Sequence, residues 1–145
     1  MKVVLQRVKK AQVKVKSKVS GKIGRGICLL VGIEKNDIER EVQYIADKVS
    51  GLRIFPDNKG RMNLSIREVG GEILAVSQFT LAGSVKKGRR PSFDHAEKPD
   101  RAEVLFDFFA DQLRNRNIKT ETGEFGALMD VHLVNDGPVT FILST

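Results

Sequence analysis

The run Gly26-Ile27-Cys28-Leu29-Leu30-Val31 has no charged side chain and is apolar at almost every position. A short run that is apolar on both faces predicts an interior strand of a sheet. Before it, apolar and polar residues alternate from Lys2 to Ser20, which predicts a half-buried strand. The two sides of this alternation include Val13, Val15 and Val19, and Lys14, Lys16 and Lys18. Glycines at positions 21, 24 and 26 predict a turn between the two strands.

Two amphipathic helices are predicted beyond these strands. In the first, Asn36 and Glu39 have the spacing of a capping box, and Gly51 ends a run of apolar residues at helical spacing. These apolar residues are Ile38, Val42, Ile45, Ala46 and Val49. In the second helix Pro99 suits the first turn. The buried stripe predicted for this helix is Ala102, Leu105, Phe106, Phe109 and Leu113.

Four more strands are predicted from short apolar or alternating runs. They cover residues 52–55, 72–78, 128–134 and 139–144, and the last two are joined by Asn135-Asp136-Gly137-Pro138. Strands outnumber helices and several strands follow one another along the chain. We therefore expect a single α+β domain over residues 1–145, with a mostly antiparallel sheet or barrel-like roll and two helices packed outside it.

The positive charge is concentrated near the start of the chain. The sequence has 25 basic and 18 acidic residues, and residues 1–25 contain nine of the basic residues and none of the acidic ones. These nine are Lys2, Arg7, Lys9, Lys10, Lys14, Lys16, Lys18, Lys22 and Arg25. Such a surface is suited to a polyanion, but lysines on a solvated strand pair also discourage edge-to-edge aggregation. Charge alone leaves both interpretations open.

Chemistry that needs a metal, a cofactor or a thiolate has little support in the sequence. His95 and His132 do not have the spacing of a metal site, and a single cysteine cannot form a thiolate cluster. We expect Cys28 to be a buried core residue and His132 to be a structural histidine in its strand. The pattern Gly21-x-x-Gly24-x-Gly26 leads into a strand, whereas a nucleotide-binding loop leads into a helix. We expect no metal and no cofactor.

The sequence also bears on the compartment. No apolar run is long enough to cross a bilayer, and residues 1–25 lack the apolar centre and cleavage site of a secretory signal. The single cysteine has no partner within the chain. We therefore expect a cytoplasmic protein without a membrane partner.

Two segments at strand ends are candidates for chemistry. Ser77-Gln78-Phe79-Thr80 follows an apolar strand, at a point where backbone N–H groups leave the ladder and could form an oxyanion hole. The alternative is a strand end with a core phenylalanine.

In Asn135-Asp136-Gly137-Pro138-Val139-Thr140, Pro138 removes a backbone donor and restricts Gly137, which is unlike an ordinary two-residue turn. The alternative there is a rigid connector. Between these segments, residues 83–98 form a long irregular stretch, and loops of that length tend to be functional or mobile.

Four segments along the chain are similar to those of a known family. They are Leu5-Gln6-Arg7-Val8 with Ala11 and Val13, Ser77-Gln78-Phe79-Thr80-Leu81, Gly123-Glu124-Phe125-Gly126-Ala127-Leu128-Met129, and Asn135-Asp136-Gly137-Pro138-Val139-Thr140. In this order they resemble the D-aminoacyl-tRNA deacylases, and the resemblance covers the whole chain.

The resemblance implies a homodimer that hydrolyses the ester between a D-amino acid, or glycine, and the terminal ribose of tRNA. It also implies a cis Gly137-Pro138 pair that reaches into the pocket of the other subunit and is held by Arg7. We assign Ser77, Gln78, Phe79 and Thr80 as candidate catalytic residues. The candidate substrate-binding residues are Gly137, Pro138, Met129, Ala127 and Arg7.

Two other functions compete with this interpretation. A non-catalytic RNA-binding module would use the basic strands as its platform, but residues 1–25 contain no aromatic residue on which a base could stack. An esterase that depends on Ser77 or Thr80 would need a base beside the hydroxyl, and the sequence suggests none. An already reactive ester needs mainly positioning and oxyanion stabilisation, which backbone amides can supply.

Overall fold

The computed structural model describes residues 1–86 and 88–145. Eight strands and two α-helices follow one another along this part of the chain. They are β1 (Lys2–Val15), β2 (Lys18–Ile23), β3 (Gly26–Gly32), α1 (Glu39–Gly51), β4 (Phe55–Pro56), β5 (Met62–Leu64), β6 (Glu72–Ser77), α2 (Pro99–Arg114), β7 (Thr120–Thr122) and β8 (Asp130–Ser144), with a 3₁₀ turn at Phe79–Ala82 after β6.

Strand β1 is the centre of the main sheet. It pairs antiparallel with β2, β3 and β8, while β6 runs parallel to β3 and β7 runs parallel to β6. The sheet curls until β2 meets β7, where a Cβ on Gly21 would lie 2.5 Å from the Thr122 carbonyl oxygen. Only glycine allows this approach. The predicted α+β fold with a barrel-like sheet and two helices is confirmed, although its sheet is mixed.

The predicted strand from Lys2 to Ser20 is in fact a hairpin. The chain reverses at Lys16 and Ser17, whose φ angles are 46° and 67°, and Val15 pairs with Lys18. Two consecutive residues with positive φ form the tight turn that suits antiparallel strands. The reversal leaves Val19 52% exposed, and it therefore does not share the buried side of Val13.

Both predicted helices are present. Helix α1 begins at Glu39 and not at Asn36, which has a left-handed φ of 72°. The Glu41 carboxylate accepts a hydrogen bond from the Ile38 N–H at 3.2 Å, so the predicted capping box with Asn36 and Glu39 is wrong. Helix α2 has Pro99 in its first turn, and its predicted apolar stripe is buried.

The predicted last pair of strands is a single strand, β8. Both of its halves run antiparallel to β1, and the register jumps from Gln6 opposite Thr140 to Val8 opposite Asn135. Residues 136–139 therefore all bulge out opposite Arg7. The segment expected to connect two strands lies inside β8. Its position is fixed because the residues before it and after it both pair with β1.

The core has two layers. One apolar cluster fills the space between the sheet and the helices, and it includes Leu5, Leu29 and Phe109. A smaller cluster lies inside the curl of the sheet and includes Val13, Cys28, Val76 and Leu74 among others. Burial raises the pKa of the Cys28 thiol to about 11, so this residue is an inert part of the core, as predicted. No helix in the described ranges is long and apolar enough to cross a bilayer.

Candidate active site

The end of β6 leaves two backbone donors without partners. The Gln78 N–H donates to the Val31 carbonyl at 2.7 Å, and this is the last bond between β6 and β3. The chain then enters the 3₁₀ turn, whose first N–H groups have no acceptor within the turn. Over the described residues, neither the Phe79 nor the Thr80 N–H donates to any acceptor. Two adjacent free N–H groups are the arrangement that an oxyanion hole requires.

Gly32 allows this turn to pack closely against the end of β3. A Cβ at Gly32 would lie 2.9 Å from the Leu81 Cβ and 3.0 Å from the Gln78 carbonyl oxygen. Real Cβ atoms do not approach their neighbours so closely, so a side chain here would push the turn away. Gly32 thus helps to fix the direction of the Phe79 and Thr80 N–H groups.

Among the described residues, neither hydroxyl of the Ser77-Gln78-Phe79-Thr80 segment is paired with a catalytic base. The Gln78 amide donates to the Thr80 hydroxyl at 2.5 Å. Within the part of the chain that the structure describes, no carboxylate or imidazole bonds to the hydroxyl of Ser77 or Thr80. An unassisted hydroxyl at neutral pH is a weak nucleophile. The backbone of this segment is therefore better suited to catalysis than its hydroxyl groups.

An exposed aromatic pair borders the same turn. The Phe79 ring is 57% exposed and meets the Phe93 ring edge-on, with 5.1 Å between the centroids. Phe93 is not among the site residues predicted from the sequence. Its position after a long basic loop gave no periodic signal, and only the contact across the loop shows its place beside Phe79.

The Gly137-Pro138 segment is fixed by a buried arginine. The peptide bond between these residues is cis, as the resemblance implied. The Arg7 Nε donates to the Asp136 carbonyl at 3.0 Å and lies 3.2 Å from the Asp136 carboxylate, and Nη1 donates to the Ile54 carbonyl. Arg7 itself is buried. Charge-assisted bonds from one rigid guanidinium thus attach the bulge to β1 and to the chain before β4.

Glycine is required at position 137 for two reasons. Its φ is 132°, which side-chain-bearing residues rarely adopt. A Cβ there would also lie 2.9 Å from the Val139 Cγ2 and 3.3 Å from the Arg7 Nη2. Both Gly137 and Pro138 are exposed, so the bulge presents bare backbone and a proline ring to the outside.

Met129 and Ala127 follow the segment that leaves the sheet beside β6. The Gly123 N–H donates to the Ala75 carbonyl at 3.0 Å, after which the chain leaves the sheet beside the end of β6. Met129 packs against the inner cluster that includes Val76. A Cβ at Gly123 would lie 2.6 Å from the Met129 sulfur, so glycine makes room for this side chain. Ala127 is half-buried.

The two candidate segments are separated within one chain. Ser77 pairs with Val31, Val31 with Val3, and Val3 with Leu143, so Ser77 lies three strands from β8. The Gly137 bulge lies opposite Arg7, four residues further along β1. With strand spacings of about 4.8 Å and steps of about 3.3 Å per residue, the path between the two segments along the sheet is roughly 15–20 Å. Within one chain Met129 packs on the inner cluster that includes Val76, the neighbour of Ser77, whereas the Gly137 bulge lies three strands away from Ser77.

A basic groove of about 590 Å³ lies between β2 and β8 and includes Lys10, Lys22 and His132. His132 is exposed there, so the expectation that it is a satisfied structural histidine is wrong. Val131 and Val134 beside it are exposed as well, so within the described residues this part of β8 is not covered. In residues 1–86 and 88–145, no three His, Cys, Asp or Glu side chains converge as a metal site would require.

Comparisons with known proteins give a consistent result over the whole chain. The family model described as D-Tyr-tRNA(Tyr) deacylase matches residues 4–144. A D-aminoacyl-tRNA deacylase of Geobacter sulfurreducens is 60% identical over 100% of this chain and 95% of its own length. A protein of the same name from Bacillus cereus is 54% identical over 100% of this chain and 99% of its own length.

Two solved structures share the fold. The c-Myc DNA Unwinding Element Binding Protein superimposes with a TM-score of 0.94 and 42% identity, over 100% of this chain and 99% of that one. A probable eukaryotic D-amino acid tRNA deacylase superimposes with a TM-score of 0.85, over 98% of this chain and 97% of that one. Its identity is 20%, so it supports the fold alone.

Proposed function

The chain belongs to the D-Tyr-tRNA(Tyr) deacylase family, and we propose that it hydrolyses the ester between a D-amino acid and the terminal ribose of tRNA. The products would be free tRNA and the free D-amino acid. The family match over residues 4–144 is the observation that carries this proposal. The free N–H groups of Phe79 and Thr80 support it, because they form a site for acyl transfer that needs no metal or side-chain nucleophile.

In the proposed mechanism the substrate carbonyl oxygen accepts hydrogen bonds from the Phe79 and Thr80 N–H groups. Water adds to the carbonyl carbon, and the negative charge that develops on the oxygen is stabilised by these donors. The bond to the ribose oxygen then breaks, and that oxygen takes up the proton lost by the attacking water and leaves as the alcohol. The adjacent ribose 2′-hydroxyl is well placed to assist the proton transfer. The pocket contributes mainly position and electrostatics to an ester that is already reactive.

We further propose that the site is completed by a second copy of the chain. Gly137 and Pro138 are exposed on a bulge that Arg7 holds rigidly, yet the path along the sheet from this bulge to Ser77 in the same chain is roughly 15–20 Å. A two-fold dimer would bring each bulge to the strand-end segment of its partner, and both sites would then form together.

The surface of β8 supports such a dimer. Across the described residues β8 pairs with β1 alone, so one edge of a 15-residue strand lacks a neighbour. Exposed apolar side chains lie in β8 and just before it. They are Leu128, Val131, Val134, Phe141 and Ile142. A long unpaired edge with an apolar surface is unfavourable in water and would be covered by a partner strand or face.

The proposed role of the bulge is to exclude L-amino acids. Mirror-image substrates carry the same groups, so attraction alone separates them poorly and a steric barrier is required. Gly137 has no side chain and Pro138 has a fixed φ, so their backbone could approach the substrate α-carbon closely. A backbone wedge would test chirality without recognising any particular side chain. Glycyl-tRNA has nothing to exclude and would be cleaved as well.

The basic strands are the proposed surface for the tRNA backbone, but not all nine cations are available. Lys2 pairs with Glu34 at 2.8 Å and Arg7 is buried. Lys14 lies opposite Asp130 in the register of β1 and β8. Lys10 and Lys22 line the groove between β2 and β8. We expect the exposed lysines that line this groove to bind phosphates, with release of counterions. We also expect the protein to act in the cytoplasm, where aminoacyl-tRNA is made.

The test is a deacylation assay with D-Tyr-tRNA, L-Tyr-tRNA and Gly-tRNA, together with a simple small-molecule ester. We expect rapid release of D-tyrosine, measurable release of glycine, and no acceleration for L-tyrosine or the simple ester. Binding of tRNA without any ester cleavage would instead indicate a non-catalytic RNA-binding module. The 42% identical relative is described as a DNA-binding protein, so the binding alternative has to be tested directly.

A further inference from the structure

The chain between the 3₁₀ turn and α2 carries a concentration of positive charge beside the candidate site. Residues 84–93 contain four basic side chains and no acidic one. Of these, Lys86, Arg89 and Arg90 are exposed. We call residues 85–91 the basic loop.

The basic loop is held at its base. Ser84 and Ser92 exchange two backbone hydrogen bonds, of 2.7 and 2.9 Å, which close the loop. The chain after it is attached to the end of the sheet, where the Lys35 N–H donates to the His95 carbonyl at 2.9 Å and the Glu97 N–H donates to the Ile33 carbonyl at 3.2 Å. The base of the basic loop is therefore fixed at this edge of the sheet.

That edge adjoins the candidate oxyanion hole. Phe93, which follows the basic loop, lies with its ring centroid 5.1 Å from that of Phe79. A Cβ at Gly83 would lie 3.0 Å from the Phe93 ring, so glycine allows the two ends of the loop to close over this contact. The loop thus begins and ends beside the residue whose N–H is a candidate donor to the ester.

Among the described residues, the nearby carboxylates do not pair with Lys86, Arg89 or Arg90. Asp94 accepts a hydrogen bond from the Ser92 hydroxyl at 2.5 Å, and Glu97 pairs with Arg101 at 2.6 Å. For the residues whose positions are described, no carboxylate lies within ion-pairing distance of Lys86, Arg89 or Arg90. Arg89 and Arg90 precede the exposed Phe93 by four and three residues. Exposed arginines together with exposed aromatic rings are the combination that proteins use to hold single-stranded nucleic acid.

We propose that the basic loop binds the phosphates of the nucleotides that precede the terminal aminoacyl-adenosine of tRNA. This inference rests on the proposed function and assigns substrate binding and ester hydrolysis to different parts of the site. The loop would supply affinity and register through the phosphates, which carry no sequence information, and the Phe79 and Thr80 N–H groups would act on the ester.

The experiment compares two substrates that share the ester but differ in phosphates. One is D-Tyr-tRNA, and the other is D-tyrosyl-adenosine, which has no phosphate. The double variant Arg89→Ala/Arg90→Ala should lower kcat/KM on D-Tyr-tRNA about tenfold, and it should reduce the slope of log affinity against log salt by about 1.4, for two single-strand phosphate contacts. Its kcat/KM on D-tyrosyl-adenosine should equal that of the wild type.

Two further variants serve as controls. Arg89→Lys/Arg90→Lys keeps the charge and should retain most of the affinity for tRNA. Lys59→Ala/Arg61→Ala removes the same charge from the exposed turn between β4 and β5 and should leave both substrates unaffected. An equal loss on both substrates, or no loss on either, would overturn the assignment of the basic loop.

Binding measurements separate this inference from the proposed function. The affinity of each variant for a short oligoribonucleotide ending in CCA, measured by fluorescence anisotropy, does not depend on hydrolysis. Unchanged affinity in Arg89→Ala/Arg90→Ala would overturn the inference even if the wild type cleaves D-Tyr-tRNA. Reduced affinity with a wild type that cleaves neither ester would support the basic loop and contradict the deacylase function.

Discussion

Thr80 offers two groups that can be tested separately, its hydroxyl and its N–H. The proposed mechanism uses only the N–H, because the hydroxyl accepts a bond from the Gln78 amide and, among the described residues, no carboxylate or imidazole bonds to it. Thr80→Ala should therefore lose less than about tenfold in kcat, whereas loss of one oxyanion donor costs about 10²–10³-fold. Thr80→Pro removes that donor at the second position of the 3₁₀ turn, where proline is tolerated.

Both variants are assayed on D-Tyr-tRNA, and thermal unfolding shows whether each is folded. An acyl group trapped on Thr80 in the wild type, or equal losses in the two variants, would contradict a backbone mechanism.

Arg7 shows how far single residues could be interpreted from the sequence. Its place in the motif Leu5-Gln6-Arg7-Val8 marked it as a candidate site residue through the family resemblance. Its partners could not be predicted from local pattern, because Asp136 is 129 positions away along the chain and the Ile54 carbonyl has no side-chain signature. Phe93 was missed for the same reason.

At the scale of elements, predictions succeeded where hydrophobic period is strong and failed where the chain turns. The apolar stripe of α2 follows from its helical periodicity, and β3 follows from a short run that is apolar on both faces. The turn at Lys16 and Ser17 contains no glycine or asparagine that would predict it from the sequence. Its position is set instead by the pairing of β1 with β2. The Asp136-Gly137 sequence suggested a connection between two strands, but both halves pair with β1 and the residues bulge out.

The open edge of β8 leads to a prediction about this element. Ile142 is 76% exposed on β8, and a glutamate there would be buried without a partner in the proposed dimer. We expect Ile142→Glu to raise the dimer dissociation constant at least about tenfold, which corresponds to roughly 1.4 kcal/mol. The matched control is Val104→Glu, at a residue 66% exposed on α2, which should remain dimeric.

Analytical ultracentrifugation over a concentration series measures both variants. A wild type that is monomeric at micromolar concentration, or a dimer that Ile142→Glu leaves intact, would show that β8 is not the interface.

At the scale of the whole molecule, the sequence pattern predicted the fold class and the resemblance predicted the family. Neither the length of β1 nor its three partners could be predicted from pattern, although they determine where both candidate segments lie. The consequence is specific. Each chain holds a strand-end segment around Phe79 and a bulge at Gly137, and the geometry keeps them apart. We propose that the bulge of each chain lies against the strand-end segment of its partner, so that a dimer has two composite sites.

Subunit complementation tests this claim most directly. In Gly137→Ala the added Cβ would meet Val139 and Arg7 and displace the bulge into the space proposed for the substrate α-carbon, so cleavage of D-substrates should be blocked as well. Thr80→Pro should damage the strand-end segment. Each homodimer then has two defective sites. A mixed dimer formed by co-expression has one site with an intact bulge from one subunit and an intact strand end from the other. With random pairing, half of the dimers are mixed and half of their sites are intact, so we expect recovery of about a quarter of wild-type activity on D-Tyr-tRNA. A mixture no more active than the two homodimers would contradict it.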